Sequence, residues 1–386
     1  MFITPLLKLM SEKQASDLFF SANAPINIKI NGIAMAINQQ ALDADTVKKI
    51  VYEVMSPEQI QAFEANLEMN FSFHVPEVGN FRVSFFRQRG DVAMVIRYIK
   101  STMPTVEELK LPLVLNDLIM EKRGLILVVG STGSGKSTTL AAMIEHRNTH
   151  RTGHILTVED PIEFVFRHNK SIVNQREVGM DTLSYTNALT NAMREAPDVL
   201  MIGEIRDRDT LKHALIYAQT GHLCLSTLHA NNSYHALNRI INFFPYEFRA
   251  SLLSDLAISL KCVISQRLVR TVDGKLTPAV EVLMNTRHIA ELVRDGQLDQ
   301  IKEAMEQSLS PGSQTFEQAL CRLWKAGLVS RDEALHNSDS PSNLANLMDY
   351  GEQGAQQAGT PAAPATPKST DKAAGSFDAF TINADM

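Results

Sequence analysis

The first hundred residues alternate short apolar runs with polar positions. Residues 26–37, INIKINGIAMAI, hold two Ile-rich runs around Asn31-Gly32, a dipeptide that favours the tight turn of a β-hairpin. The runs GNFRVSFFRQ and DVAMVIRYI alternate apolar and polar residues as half-buried strands do. The segment DADTVKKIVYEVM has helical periodicity, and Ser56 followed by Pro57 predicts the start of a second helix. We therefore predict a small α+β domain over residues 1–99.

A second pattern begins after a proline-containing segment. Residues 100–112, KSTMPTVEELKLP, are predicted to form an interdomain linker. Beyond it, the apolar runs GLILVVG, HILTV, DVLMIG and HLCLSTL are separated by helical segments. This alternation is typical of a parallel β-sheet covered by helices. It predicts an α/β domain with C-terminal helices over residues 113–345.

The C-terminal residues have a different composition. From about Gly351 the chain is rich in Ala, Pro, Gln, Gly, Ser and Thr. Such a mixture buries too little apolar area to offset the entropy cost of ordering the chain. We therefore predict a disordered tail over residues 346–386.

Composition and charge narrow the class of protein. The chain has 386 residues, of which 44% are hydrophobic and 21% charged, and its formal net charge is -6. This net charge gives no general attraction to polyanions, so no nucleic-acid partner is expected. The three cysteines are not spaced as metal-binding or redox pairs, which favours reduced thiols in a cytosolic compartment. No segment approaches the roughly 20 apolar residues that span a bilayer, so any membrane contact is expected to be peripheral.

One motif binds phosphate by a known physical mechanism. Residues 130–137, GSTGSGKS, fit G-x-x-x-x-G-K-[ST] and lie between the predicted strand GLILVV and a predicted helix. Backbone N–H groups and the helix N-terminus attract phosphate oxygens, Lys136 reaches the β- and γ-phosphates, and Ser137 binds Mg²⁺. The residues predicted to bind ATP are Ser131, Thr132, Gly133, Ser134, Gly135, Lys136, Ser137 and Thr138.

Acidic residues follow two of the predicted strands. DVLMIGE ends in Glu204, a candidate for orienting water or for binding Mg²⁺ through water, with a surface helix cap as the alternative. HILTVEDPIEF ends in Glu159, Asp160 and Glu163, where a hydrolase would have the base that activates water. Solvated loop carboxylates are the alternative.

Two histidines flank the run HLCLSTL. His222 precedes it and His229 follows it, and neither belongs to a recognisable zinc site or hydrolytic triad. A neutral imidazole donates one hydrogen bond and accepts another, which suits a phosphate sensor. A histidine at a strand end is nevertheless more often structural.

The ordered set GSTGSGKSTT, TVEDPIEF, DVLMIGEIRD and TGHLCLSTLH resembles the Walker A, Asp box, Walker B and His box of secretion ATPases. Over residues 1–335 the chain is similar to the type IV pilus retraction ATPases, the PilT/PilU family. The resemblance implies a RecA-like P-loop ATPase domain preceded by a PAS-like domain, assembled as a homo-hexamer that uses ATP and Mg²⁺.

The resemblance also implies roles for individual residues. Glu163 or Glu159 polarises water, with Glu163 favoured, and Glu204 supports magnesium and water. His222 and His229 face the nucleotide and report whether its γ-phosphate is present.

Positive charge from the first domain is a further expectation. Arg82 and Arg97 lie on consecutive predicted strands and match family arginines that reach a neighbouring subunit's ATP. The alternative is an ordinary solvated strand face.

Two departures from the wider superfamily refine the expected function. The tetracysteine module and the longer N-terminal region of assembly motors are missing, and residues 286–295, TRHIAELVRD, depart from the AIRNLIRE helix of PilT. These departures favour a PilU-type accessory retraction ATPase. It would act with a PilT-type ring and a PilC-type platform protein, in the cytoplasm and peripherally at the inner-membrane base of the pilus. The alternatives are an autonomous PilT-like motor, a hexameric nucleic-acid translocase and an ATP-gated scaffold with vestigial hydrolysis.

Overall fold

The computed structural model describes residues 2–30, 32–99 and 103–357. The N-terminal domain is a six-stranded antiparallel sheet in the order β3-β2-β1-β6-β5-β4 with three helices. Its elements are α1 (Thr4–Glu12), β1 (Asp17–Phe20), β2 (Asn27–Ile30), β3 (Ile33–Ala36), α2 (Ala44–Glu53), α3 (Pro57–Asn66), β4 (Glu68–Val75), β5 (Gly79–Gln88) and β6 (Asp91–Ile99).

The sequence signals of this domain correspond to local contacts. The predicted hairpin forms, because β2 pairs with β3 and Ile30 lies opposite Ile33. Its turn residue Asn31 lies outside the described residues. Ser56 caps α3 as predicted, and its hydroxyl accepts a hydrogen bond from the backbone N–H of Gln59.

The second domain contains a seven-stranded sheet in the order β13-β12-β7-β11-β10-β8-β9. Every neighbouring pair is parallel except β12 and β13. Its strands are β7 (Gly124–Val129), β8 (Gly153–Glu159), β9 (Ser171–Glu177), β10 (Val199–Ile202), β11 (Leu223–Leu228), β12 (Leu260–Arg270) and β13 (Leu276–Met284). The helices are α4 (Val114–Ile119), α5 (Lys136–His150), α6 (Tyr185–Ala192), α7 (Arg208–Gln219), α8 (Ser233–Asn242), α9 (Tyr246–Ser259), α10 (Arg287–Arg294), α11 (Ile301–Glu306), α12 (Phe316–Lys325), α13 (Arg331–His336) and α14 (Pro341–Gln357).

Helices cover both faces of this sheet. Leu125 and Leu127 of β7 pack into one core with residues of α6 to α9, whereas Ile126 and Val128 pack into another with residues of α4 and α5. Alternate residues of a strand point to opposite faces, so a strand buried on both faces is apolar throughout. The run GLILVV therefore has the sequence expected of a central parallel strand.

The structure corrects two predicted boundaries. Part of the expected linker belongs to the second domain, since Val106 and Leu111 are buried in the core that contains α5. The predicted tail begins too early, because residues 346–357 continue α14, whose Leu344 and Met348 are fully buried. The rest of that tail, residues 358–386, lies outside the described residues. Among the described residues, no helix is long and apolar enough to cross a membrane.

Candidate active site

The phosphate-binding loop connects the end of β7 to the start of α5. Gly135 precedes the helix with φ of 92°, and a Cβ atom there would lie 2.7 Å from the side-chain nitrogen of Gln266. Only glycine is free of both the steric and the conformational penalty at this position. Gly135 provides no side-chain cap for α5, so the first N–H groups of the helix are available for an anion.

Lys136 is held in the loop by its own backbone. Its Nζ donates hydrogen bonds to the carbonyl oxygens of Gly130 at 3.0 Å and Ser131 at 2.9 Å. Burial lowers the pKa of the ammonium group, and the nearby Glu204 and Glu163 carboxylates oppose this change. The Lys136 ammonium group and the carboxylates of Glu204 and Glu163 are therefore close enough to interact electrostatically.

The sheet order brings the two acidic strand ends together. β8 and β10 are neighbours in the sheet. β8 ends at Glu159, and Glu204 follows the end of β10, so both residues lie at the carboxyl edge of the sheet. Ligands bind at this edge in open α/β sheets. Glu159 is buried, and one of its carboxylate oxygens accepts hydrogen bonds from Thr157 at 2.7 Å and Gln175 at 3.1 Å. Burial raises the pKa of Glu159 to about 7.

Glu204 takes part in a charged network that sequence reasoning missed. Arg206 Nε donates to Glu204 Oε2 at 2.9 Å, and its Nη1 donates to Asp160 Oδ2 at 3.2 Å. His229 Nε2 lies 3.4 Å from Glu204 Oε1. In the sequence, Arg206 stands two residues after Glu204, and this closeness was the signal that could have indicated an ion pair. The network links β8, β10 and β11 at their carboxyl ends.

A cavity of 530 Å³ joins these groups. Most of the predicted ATP-binding loop lines it, together with Glu159, Glu163, Glu204 and His229. Sequence reasoning did not identify the remaining polar and aromatic walls, which include Phe164, Phe166, Tyr185, Arg206 and Thr227. Ser131 and Ser134 border a separate polar cavity on the other side of the loop.

A second large cavity lies behind the same loop. Its volume is 490 Å³, and it shares Gly135 and Thr138 with the first cavity. Apolar side chains from the residues before α4 and from the β12–β13 hairpin line it, including Leu109, Leu268 and Pro278. The two cavities together leave room for an elongated ligand around the start of α5.

The two histidines do not lie together. His229 borders the cavity at the carboxyl end of β11, whereas His222 precedes β11 and its carbonyl accepts a hydrogen bond from Gly124 at the start of β7. A six-residue strand is about 20 Å long. The expectation that both imidazoles face one nucleotide is therefore wrong within a single chain. His222 instead contacts the ring of Tyr217, with 5.6 Å between centroids.

The two arginines of the N-terminal domain also differ. Arg97 lines the 530 Å³ cavity of its own chain, and its Nε donates to the buried Asp17 at 2.8 Å. Arg82 lies directly opposite Arg97 on β5 but does not border that cavity. The contact of Arg97 with the site therefore needs no second subunit, in contrast to the expectation of a contact with a neighbour's ATP.

The residues present fit a nucleotide bound with a magnesium ion. The uncapped start of α5 and Lys136 supply donors for phosphate oxygens, and the hydroxyl of Ser137 lies in the first turn beside them. Among the described residues, no group of three or more His, Cys, Asp or Glu side chains forms a metal site. Magnesium commonly binds through phosphates and water with only one or two protein ligands, so this finding is compatible with it.

Comparison with known proteins identifies relatives. A family model described as Type II/IV secretion system protein matches residues 1–321. The type IV pilus ATPase PilU of Pseudomonas aeruginosa is 48% identical over 349 residues, which cover 90% of this chain and 91% of PilU. PilT of the same organism, a type IV pilus retraction ATPase, is 42% identical over 89% of this chain and 100% of PilT. The crystal structure of the retraction motor PilT with bound ADP matches with a TM-score of 0.82 and 40% identity, covering 88% of this chain and 99% of PilT.

Fold and site together define a RecA-like P-loop ATPase with a small PAS-like α+β domain before it. The chain belongs to the Type II/IV secretion system protein family and, within it, to the type IV pilus retraction ATPases represented by PilT and PilU.

Proposed function

We propose that this chain is a Mg-ATP-driven hexameric motor that acts in type IV pilus retraction as a PilU-type partner of a PilT-type ring. The main support is the meeting of Lys136, Glu163 and Glu204 in one cavity at the carboxyl edge of a parallel sheet. Such an arrangement supplies phosphate binding, water activation and charge stabilisation in one place.

Each residue has a role that its surroundings support. Lys136 and the N–H groups at the start of α5 bind the phosphates. Exposed Glu163 faces the cavity and polarises the attacking water, whereas buried Glu159 is held by Thr157 and Gln175. His229 lies where it would contact the γ-phosphate region and report its presence to Glu204.

Magnesium would be held by the Ser137 hydroxyl, the phosphates and water, with Glu204 reaching it through water. Both carboxylate oxygens of Glu204 have a neighbour, Arg206 or His229, which favours this indirect contact. The bound ion would neutralise charge on the phosphate oxygens.

The base of the nucleotide would lie in the second cavity. That cavity reaches the P-loop helix at Gly135 and Thr138 and has apolar walls. Apolar surfaces suit a planar heterocycle, while the polar first cavity suits the phosphates.

The PilU-type assignment rests on identity and on one surface. Identity is 48% to PilU and 42% to PilT. Four residues of α10 resemble the PilT helix: Ile289, Leu292 and Val293 are buried, whereas Arg294 is exposed, as are Arg287 and His288. Three of the four similar residues thus lie at packing positions, and on the outward face Arg287 and His288 depart from the PilT helix whereas Arg294 is retained. We place the motor in the cytoplasm, peripherally at the inner-membrane base of the pilus beside a PilC-type platform protein.

Hydrolysis by the purified full chain tests the proposed site. Lys136→Ala should reduce phosphate release to background, because it removes charge from the β- and γ-phosphates. Glu163→Gln should still bind ATP but turn over about 10²–10⁴-fold more slowly. Lys122→Ala and Glu306→Gln change exposed residues outside the cavity and are matched controls that should retain the normal rate.

Two outcomes would contradict this assignment. Substantial hydrolysis by Lys136→Ala would place the reaction elsewhere. If Glu163→Gln keeps the full rate and Glu159→Gln is the slow variant, the role of water activation belongs to Glu159.

The same assay tests the need for magnesium. Chelation of Mg²⁺ should abolish hydrolysis, and adding Mg²⁺ back should restore it.

A further inference from the structure

The two domains meet at a buried carboxylate outside the nucleotide cavity. Glu177 ends β9, lies directly opposite Glu159 on β8, and is 4% exposed. Its Oε2 accepts a hydrogen bond of 2.9 Å from the hydroxyl of Ser72, which lies on β4 of the N-terminal domain. The same oxygen accepts a hydrogen bond of 3.1 Å from the backbone N–H of Ile162.

Ile162 immediately precedes Glu163, the residue proposed to polarise water. The loop that carries these residues is also bound by Gln175, two positions before Glu177 on β9. Gln175 accepts a hydrogen bond from the backbone N–H of Phe166 at 2.8 Å and donates one to the carbonyl of Phe164 at 2.8 Å. Two β9 side chains on one face of the strand therefore fix the backbone on both sides of Glu163.

The strands of the N-terminal domain that carry Ser72 and its neighbours also reach the nucleotide cavity. Ser72 lies opposite Arg82, which lies opposite Arg97, so the three side chains share one face of the N-terminal sheet. Arg97 lines the cavity, whereas Ser72 contacts Glu177. These laterally paired residues therefore contact the ATPase domain at two points. Arg97 reaches the cavity wall, and Ser72 reaches Glu177, which binds the loop carrying Glu163.

We propose that Glu177 is a positioning residue for ATP hydrolysis, whose carboxylate joins Ser72 of the N-terminal domain to the backbone of the loop carrying Glu163. Movement of the N-terminal domain that breaks the contact with Ser72 removes one of the two hydrogen bonds that this carboxylate accepts from the described part of the chain. The Glu163 loop then loses its fixed position, and turnover falls. This inference rests on the proposed role of Glu163.

The first test separates turnover from binding in the assembled full-length protein. Ser72→Ala should lower kcat about two- to tenfold, the range expected for loss of one hydrogen bond. The Kd for ATP should remain unchanged, because Ser72 does not line the cavity. Ser72→Thr keeps a hydroxyl and should restore most of the rate. Ser84→Ala is the matched control, since this half-buried serine of the same sheet has no side-chain hydrogen bond among the described residues.

The second test is a double-mutant cycle between the two domains. Ser72→Ala should have no further effect on kcat in a Glu177→Ala background, because the contact is already lost. If Glu177→Ala does not fold, Glu177→Leu replaces it, since Leu fills more of the buried space and also lacks an acceptor for the two donors. Multiplicative effects in the double variant would overturn the inference, as would a change in the Kd for ATP with kcat unaltered.

Glu163→Gln distinguishes failure of this inference from failure of the proposed function. If Glu163→Gln is slow but Ser72 and Glu177 act independently, only the coupling between the domains is wrong. If Glu163→Gln has the full rate, both the role of Glu163 and the positioning role of Glu177 are overturned.

Discussion

At the scale of single residues, burial makes Glu159 harder to ionise. Glu159 is 6% exposed, and burial raises its pKa from the usual 4.5 to about 7. Below pH 4.5 the group is protonated whether the chain is folded or unfolded. Between these values only the unfolded chain loses the proton, so folding stability decreases as the pH rises toward 7.

Glu159→Gln should remove this loss of stability. Gln resembles the protonated acid, and its carbonyl oxygen retains the acceptor for Thr157 and Gln175, which both bind one oxygen of Glu159. The variant should gain stability relative to the native chain as the pH rises from about 4.5 to 7, reaching about 3 kcal/mol. Thermal or urea unfolding without nucleotide, measured at pH 5 and pH 8, tests this. A stability difference that is the same at both pH values would contradict the raised pKa.

Arg206 illustrates what residue patterns leave undetermined. The sequence indicated Glu204 and Asp160 separately, because each follows an apolar run. Their common contact with Arg206 depends on β8 and β10 being neighbours, although 46 residues separate Asp160 from Arg206. Position along the chain carries no information about such a contact unless the strand order is already known.

At the scale of elements, apolar runs predicted four interior strands of the second sheet, but not the interior strand β12 or the edge strands β9 and β13. The runs of β7, β8, β10 and β11 are buried on both faces, so their composition alone identifies them. β9, SIVNQRE, reverses the usual pattern, because Ser171 and Glu177 are buried whereas Ile172 is 59% exposed. Its pattern therefore resembles neither a strand nor a helix, and the contacts of Glu177 with the N-terminal domain were not predictable.

The last helix yields a prediction about the C-terminal boundary. Leu344 and Met348 of α14 are fully buried in a small core with Phe316 and Leu320 of α12. Leu344→Ala should reduce the free energy of unfolding by about 2–5 kcal/mol, because it removes buried methyl groups and leaves a cavity. Chemical denaturation of the full chain measures this change. Leu347→Ala is the matched control, since Leu347 is 43% exposed and should cost much less.

A second comparison locates the end of the folded part. Truncation after residue 357 should preserve stability, because the residues removed have a composition that favours no core. Truncation after residue 340 removes α14 and should destabilise the domain. Equal stability of the two truncated chains would show that α14 adds nothing to the core around Phe316.

At the scale of the whole molecule, the two arginines predict different behaviour in mixed rings. Arg97 lines the cavity of its own chain, so rings that mix Arg97→Ala subunits with Lys136→Ala subunits should contain no intact site. Their hydrolysis should not exceed the average of the parent rings. Arg82 does not border that cavity, and the family resemblance implies that it reaches a neighbour. Arg82→Ala mixed with Lys136→Ala should therefore regain activity at composite sites.

Folding must be checked before these rates are compared. Arg97 is the ion-pair partner of Asp17, a carboxylate that is 4% exposed, and removing the cation leaves a buried charge unpaired. Equal thermal stability and confirmed mixed rings are required. Strong recovery with Arg97→Ala would then indicate a contact across the subunit boundary, whereas no recovery with Arg82→Ala would remove its proposed role.

The proposed cellular role makes the most demanding prediction. The proposed site brings Lys136, Glu163 and Glu204 together, so this chain should generate force, but the exposed Arg287 and His288 of α10 depart from the PilT helix. We therefore expect it to work on pili only together with a PilT-type ring. In cells without that ring it should restore little or no retraction. In cells whose PilT-type ring is present but catalytically dead, it should restore much of the retraction, and Lys136→Ala should abolish this effect.

Twitching motility and direct imaging of labelled pili provide the measurement. Robust retraction without any PilT-type ring would instead make this chain an autonomous motor, while failure beside the dead ring, with normal hydrolysis in vitro, would exclude the accessory role.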